Sequence, residues 1–215
     1  MIVRRFNRYE LKYIIPVRKR DQIIADLSDH AERDPNSGHE GYRLVSLYYD
    51  SPGLDFFWAK VDGLKYRRKL RLRLYLGDDA ALPTTAMVEI KQRTNRTVQK
   101  RRLALPLDMA EALCEGRIGV DTLANLDELD REVASEVAYL VDAMQLRPSA
   151  ITSYRRIAFV GNRYEAGVRI TFDMNLSGRV DELSLQQAAT NHPLMSQNYC
   201  VLEVKSDDKV PNWVL

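Results

Sequence analysis

Between residues 65 and 75 the sequence reads KYRRKLRLRLY, with a cation at every odd position from Lys65 to Arg73 and Leu70, Leu72 and Leu74 between them. Successive side chains of a strand point to opposite faces, so Lys65, Arg67, Lys69, Arg71 and Arg73 share one face and the leucines the other. A smaller unit, Glu-x-Lys, recurs as ELK at 10–12, EIK at 89–91 and EVK at 203–205, and it sets a carboxylate and a cation on the same strand face. Further one-sided polar sets are Glu89, Lys91 and Arg93; Lys100 and Arg102; and Arg169, Thr171 and Asp173. Arg grips phosphate oxygens with a planar fork, Lys acts on them as a point charge, and a carboxylate nearby suits the divalent cation that accompanies a nucleoside triphosphate. Phosphoryl chemistry is therefore the reaction these residue types could serve. The competing reading is an antiparallel sheet with one face in water, where alternating charge is ordinary.

Net charge would hide this pattern. The 215 residues sum to only +2, yet residues 60–102 hold 13 Lys/Arg against 4 Asp/Glu, and residues 103–150 hold 3 against 10. A polyanion responds to the local field rather than to the sum. Other chemistries lack their signatures: there is no Gly-rich phosphate loop and no recognisable Ser/His/Asp order, and His30, His39 and His192 stand apart in loop-like contexts. Cys114 and Cys200 lack metal-type spacing and are expected as buried apolar side chains. No stretch approaches the roughly 18 uncharged residues that a membrane span needs, so a soluble, cytoplasmic protein is expected. Tyr66 and Tyr75 interleave with the cations, but only Tyr75 shares their parity, so a base-stacking platform for nucleic acid is not expected.

The positioning elements follow from periodicity. Strands are expected over RYELKYII, YRLVSLYYD, about 65–76, 86–93, 97–105, ITSYRRIAFV, GVRITFD, a brief segment near LSGRV, and NYCVLEVKS. Pro16 closes the first strand and suits the first turn of a helix running to about His30; DPNSGHEG reads as a surface loop. LDFFWAKVDG reads as a short helix or a loop pinned by its aromatics. Residues 106–116 predict a short helix, and DELDREVASEVAYLVDAM a longer one with Leu129, Val133, Val137, Leu140 and Met144 along one stripe. Strands at both ends with helices between argue for an α+β fold with a largely antiparallel sheet, taken as one domain over 1–215 with a helical insertion at about 106–146. Were the polar faces to curl toward one another, they would line a basic, barrel-like tunnel flanked by helices. Like-charge repulsion at low effective dielectric makes such a lining sensible only around a polyanion.

In order and spacing, RYELKY, SLYYDSPGLDFFWAKVDGLKYRRKLRLRLY, VEIKQRTNRTVQKRR, SYRRIAF, VRITFD and VLEVKSDDKVPNWV together resemble the VTC-type polyphosphate polymerase domain, a branch of the triphosphate tunnel, or CYTH-like, superfamily. The resemblance implies an antiparallel β tunnel with a basic interior that holds ATP or another triphosphate and a growing inorganic polyphosphate chain, with Mn²⁺ or Mg²⁺ as cofactor. It carries phosphate binding and catalysis to Lys12, Lys60, Arg71, Arg73, Lys91, Lys100, Arg169 and Lys205, with Glu203 as metal ligand. Glu89 and Glu10 are expected to assist the metal or to form salt bridges within the lining. Arg67, Lys69, Arg93, Arg102 and Arg156 form a second tier, in tunnel-mouth or solvated roles. Lys60 stands where some relatives have Arg. The likeness stops at VPNWVL, before a Ser-Lys-aromatic segment that relatives carry. The implied activity is transfer of the γ-phosphate of ATP to polyphosphate; the alternatives are a metal-dependent tripolyphosphate or nucleoside triphosphate hydrolase and a non-catalytic polyphosphate binder.

Overall fold

The computed structural model describes residues 8–77, 82–95, 97–163, 165, 167–187, 189–207 and 210–214. In chain order the elements are β1 (Arg8–Pro16), α1 (Val17–Asp26), β2 (Ala31–Arg33), β3 (Tyr42–Asp50), α2 (Asp55–Val61), β4 (Tyr66–Leu76), β5 (Thr85–Thr94) and β6 (Thr97–Pro106). After these come α3 (Leu107–Cys114), α4 (Glu128–Met144), β7 (Arg147–Gly161), β8 (Arg169–Arg179), β9 (His192–Pro193) and β10 (Tyr199–Asp207). The strand path is β1-β10-β8-β7-β3-β4-β5-β6, with β2 on β7 and β9 on β8. The pairings β1/β10, β10/β8, β2/β7, β4/β5 and β5/β6 are all antiparallel. The fold is the expected α+β class, but the path has two ends, at β1 and β6. Among the described residues no ladder closes it into a barrel.

Two compact units share these strands. The first takes in Met1–Leu44, Ser153–Ser177 and His192–Leu215, the second Val45–Thr152 and Gly178–Asn191. Each has its own core. In the first, Phe159, Ile170, Phe172, Cys200, Leu202 and Val204 are buried, and α1 packs Ile23 and Ile24 against them. In the second, Leu70, Leu72 and Leu74 of β4, Val88 and Ile90 of β5, and Leu103 of β6 are covered by α3 and α4 through Leu113, Val137 and Leu140. The leucines between the cations are thus the core face, at 0–1% exposure. Both cysteines are free and buried, and burial pushes the Cys114 thiol far up.

Several boundaries differ from the expectation. The segment near 176–180 is the end of β8, because the chain there keeps a partner: Leu194 N–H donates to the Leu176 carbonyl next to β9. α1 stops at Asp26 and tightens into a 3-10 turn at Leu27–Asp29. Within DPNSGHEG a 3-10 turn forms at Pro35–Ser37, with the Asp34 carboxylate accepting the Asn36 N–H. α2 is a helix, but of its aromatics only Phe56 enters the core, and Phe57 and Trp58 are exposed. α4 starts where Asp127 caps the Asp130 N–H at 2.8 Å. Its buried stripe is Ala134, Val137, Leu140 and Val141; Leu129, in the first turn, is 71% exposed.

Candidate functional site

In the second unit the cations stand in rows across three strands. The β4/β5 and β5/β6 registers place Arg71, Glu89 and Arg102 directly opposite one another, then Lys69, Lys91 and Lys100 in the next row. Directly opposed side chains have Cβ atoms about 5 Å apart, and like charges there destabilise the sheet. The single carboxylate in these rows, Glu89, is 1% exposed. Arg71 approaches it at 2.7 Å from Nε and 2.6 Å from Nη2, Lys100 Nζ at 2.5 Å and Arg102 Nη2 at 3.4 Å. Burial would raise the Glu89 pKa, but Arg71, Lys100 and Arg73 lower it to about 2. Lys100 goes the other way for a lysine in an ion pair. Burial pushes it down to about 8, with Arg102 and Arg71 opposing its charge and Glu89 only partly restoring it. Three cations share one carboxylate, and Lys100 is the one that cedes its proton most readily.

β3 completes this cluster with two side chains that the sequence reading passed over. Arg73, 6% exposed, donates from Nε to Ser46 Oγ at 3.1 Å. Arg71 Nη1 donates to Tyr48 Oη at 3.2 Å, and the Tyr48 ring lies 5.8 Å from Lys69 Nζ and 5.9 Å from the Arg71 guanidinium carbon. Burial would raise the Tyr48 pKa, but Arg71, Arg73 and Lys69 bring it below the ordinary phenol value. The signal was there in SLYY, since Ser46 and Tyr48 share a parity, but in a mostly apolar strand they read as incidental. On Lys69, burial, Lys91, Lys60 and Arg71 all act to lower the pKa, so Lys60 of α2 belongs to the same field.

The first unit holds a second cluster on β1, β10, β8 and β7. Glu203, 5% exposed, lies opposite Lys12 in the β1/β10 register and opposite Thr171 in β10/β8. Its oxygens meet Lys205 at 3.0 Å, Lys12 at 3.2 Å and Arg156 at 3.7 Å. Burial would raise the Glu203 pKa, whereas Lys205 and Lys12 hold it down at about 2. Lys12 also meets Glu10 at 2.8 Å. Although burial opposes its charge, Glu10 and Glu203 raise the Lys12 pKa. Arg156 forks onto both oxygens of Asp173 at 2.6 and 2.7 Å. Arg169 pairs with Asp34 at 2.8 Å, and Asn36 N–H and Nδ2 donate to the same carboxylate at 3.0 and 3.1 Å. Asp34 was missed because DPNSG reads as a turn; its backbone N–H donates to the Ala158 carbonyl, which ties the turn to β7. Thr171 Oγ1 is buried without a partner among the described residues.

The charged strand faces are buried only in part: Arg73, Glu89, Thr171 and Glu203 are all under 9% exposed, whereas Lys12, Lys69, Lys91, Lys100 and Arg102 around them are open to solvent. Of the residues expected to bind phosphate, Arg71, Arg73, Lys91 and Lys100 come together in the second unit, with Lys60 in their field. Lys12, Lys205 and Glu203 come together in the first, and Arg169 lies two residues along β8 from Thr171. Arg102 joins the Glu89 cluster and Arg156 the Glu203 cluster, while Arg67 and Arg93 oppose one another farther along β4/β5. Among the described residues no group of three or more His, Cys, Asp or Glu converges as a ready metal cage, and no helix is long and apolar enough to cross a membrane.

The model of the VTC domain family matches residues 7–215. The chain belongs to the VTC domain family. A VTC relative is the vacuolar transporter chaperone complex subunit 4 of Schizosaccharomyces pombe, 28% identical over 162 residues, which are 67% of this chain and 22% of that protein. The VTC chain therefore spans about a fifth of that relative's length. Among solved structures it is similar to a candidate adenylate cyclase of Bacillus halodurans, with TM-score 0.46 and 13% identity over 95% of this chain and 83% of that one. It is also similar to a candidate adenylyl cyclase of Hippeastrum described by a dominant triphosphatase activity, with TM-score 0.45 and 13% identity over 95% and 81%.

Proposed function

We propose that this chain binds a triphosphate, with ATP the physiological donor, and transfers its terminal phosphoryl group to inorganic polyphosphate or phosphate. The observation that carries the reading is the charge imbalance in the second unit. Among the described residues Lys69, Arg71, Arg73, Lys91, Lys100 and Arg102 stand with a single carboxylate, Glu89, with Leu70, Leu72 and Leu74 of β4 buried behind them. A cluster of that sign stabilises bound phosphates and the charge that spreads over the transferring group. Arg71 and Arg73, held by Tyr48, Ser46 and Glu89 before ligand arrives, are preorganised forks, and Lys60, Lys91 and Lys100 add point charge. No protein nucleophile is required, because alignment and neutralisation supply the catalysis.

A divalent cation, Mn²⁺ or Mg²⁺, suits Glu203 with Glu10. Both carboxylates lie within reach of one lysine, Lys12, and Glu203 is ionised throughout the neutral range. The lack of a three-ligand cage fits such an ion, which is commonly held by one or two carboxylates together with substrate phosphates. Bound there, it would neutralise phosphate oxygens. Glu89 and Glu203 each meet three cations, but Glu203 shares Lys12 with a second carboxylate, Glu10, whereas among the described residues no second carboxylate pairs with the cations on Glu89; Glu89 is assigned instead to positioning Arg71 and Lys100. Arg169, set by Asp34, and Lys205, set by Glu203, are assigned to phosphate contact.

Incubation with γ-labelled ATP and Mn²⁺ tests the proposal. Label in long acid-labile chains is the expected result. Label only in orthophosphate would make the protein a hydrolase, and tight binding without turnover would make it a polyphosphate binder.

A further inference from the structure

The cation rows do not end where the Glu89 cluster ends. Beyond Arg71–Glu89 and Lys69–Lys91, the same register sets Arg67 directly opposite Arg93. Next to them is a hollow of about 270 Å³, lined by Gly63, Leu64, Lys65, Arg67, Arg93 and Asn95. Three of those six residues are cationic and none is acidic. Arg93 Nε donates to the Asn95 carbonyl at 2.8 Å, and Asn95 N–H in turn donates to the Lys65 carbonyl, which fixes the rim of the hollow to both strands. Among the described residues no carboxylate pairs with Lys65, Arg67 or Arg93. Opposed arginines repel, and among the described residues no ion pair offsets that repulsion.

We infer that this hollow is a separate anion subsite, which takes the phosphates of an inorganic polyphosphate that lie beyond those held by Arg71 and Arg73. The inference rests on the phosphate-binding reading given above. From the Arg71 row to the Arg67 row is four residues, about 13 Å at a strand rise of about 3.3 Å. A triphosphate seated on the Arg71 and Arg73 forks is too short to reach it, whereas a longer chain of the same repeating unit, following the Lys69–Lys91 row, enters it. The hollow therefore sets a preference for chain length: longer phosphate chains gain contacts with Lys65, Arg67 and Arg93 that a triphosphate does not make.

The test is a pair of affinities, for tripolyphosphate and for long-chain inorganic polyphosphate, measured by calorimetry at fixed ionic strength. Arg67→Ala/Arg93→Ala is expected to weaken the long chain by about tenfold or more, the loss of one to two charge-assisted hydrogen bonds, and tripolyphosphate by less than about twofold. Arg18→Ala/Lys19→Ala, which removes two exposed cations of α1, controls for the general loss of positive field. Equal weakening of both ligands by Arg67→Ala/Arg93→Ala, or equal weakening of the long chain by the control pair, overturns the subsite. Arg67→Gln/Arg93→Gln, which keeps side-chain bulk, must reproduce the selective loss. If Arg71→Ala/Arg73→Ala leaves tripolyphosphate affinity intact, the underlying reading fails and the subsite with it, a result told apart from failure of the subsite alone by the variant that reveals it.

Discussion

The two charged clusters of this chain use the same residue types to opposite effect. In the first unit four cations, Lys12, Arg156, Arg169 and Lys205, meet four carboxylates, Glu10, Glu203, Asp173 and Asp34, and each charge has a partner within 4 Å. In the second unit Arg71, Lys100 and Arg102 converge on Glu89, and Lys69, Arg73 and Lys91 stand in the neighbouring rows with no carboxylate opposite them in the β4/β5 and β5/β6 registers. Both central carboxylates are buried and held near pKa 2. The neighbours differ: Lys100 is driven down to about 8, while Lys12 is raised. A balanced cluster needs no further ion to neutralise it. An unbalanced cluster is strained until an anion arrives. The Glu-x-Lys unit that recurs in this chain thus has different consequences according to how many further cations the neighbouring strands bring to it.

The comparison breaks most visibly at the arginine pair. Arg71→Ala/Arg73→Ala should weaken tripolyphosphate on the order of 10²–10⁴-fold, since each charge-assisted hydrogen bond contributes roughly 1.5–3 kcal/mol, while the fold persists because mutual repulsion has been relieved. Retained affinity in a folded variant would show that the charge excess is not the binding feature. Next in size is the contrast between Glu89→Gln and Glu203→Gln under urea denaturation. The first leaves Arg71, Lys100 and Arg102 without a carboxylate partner among the described residues and should cost about 3–5 kcal/mol, as expected for a broken buried ion pair. The second leaves Lys12 with Glu10 and Arg156 with Asp173 and takes an ion-pair partner only from Lys205, and should cost about 1–3 kcal/mol. Added tripolyphosphate should recover more stability in Glu89→Gln. The reverse ranking would remove the distinction between the clusters.

A smaller effect separates anion from metal. Glu203→Ala should weaken Mn²⁺-dependent turnover about tenfold or more, in line with loss of a ligand-level carboxylate, and change metal-free tripolyphosphate affinity by less than about threefold. Equal losses in both assays would give Glu203 no special tie to the metal. The smallest effect is a pH limb. Lys100 has its free-state pKa lowered to about 8, and a bound anion raises it, so binding takes up a proton above that pH. Affinity is then complete below about pH 8 and falls by at most about tenfold per unit above it. Lys100→Arg, whose guanidinium stays charged, should abolish the limb. A limb that survives belongs to Lys69 or Lys205, whose pKa values are also lowered.

Much of this was legible in the sequence for a plain reason: a strand backed by a core must alternate, so Leu70, Leu72 and Leu74 inward forces Lys69, Arg71 and Arg73 onto one face. The same alternation exposed the Glu-x-Lys units, and the segment strings exposed the family. Ser46, Tyr48 and Asp34 escaped, because a hydroxyl or a turn aspartate becomes part of a site only through the strand it is set against. Leu129 was assigned to a stripe on spacing alone, although whether a first helical turn is covered depends on what packs there.

Composition and period-2 spacing by themselves determined an antiparallel α+β chain with one-sided basic strands, since those properties depend only on neighbours along the chain. Register was decided by the tertiary structure. It put Glu89 beneath three cations and Glu203 between Lys12 and Thr171, set Arg67 against Arg93, and left the strand path open at β1 and β6. The physical reason is that opposed side chains on paired strands sit about 5 Å apart, close enough for one carboxylate to set the charge state of its neighbours, and no pattern along a single strand specifies which residue will stand opposite.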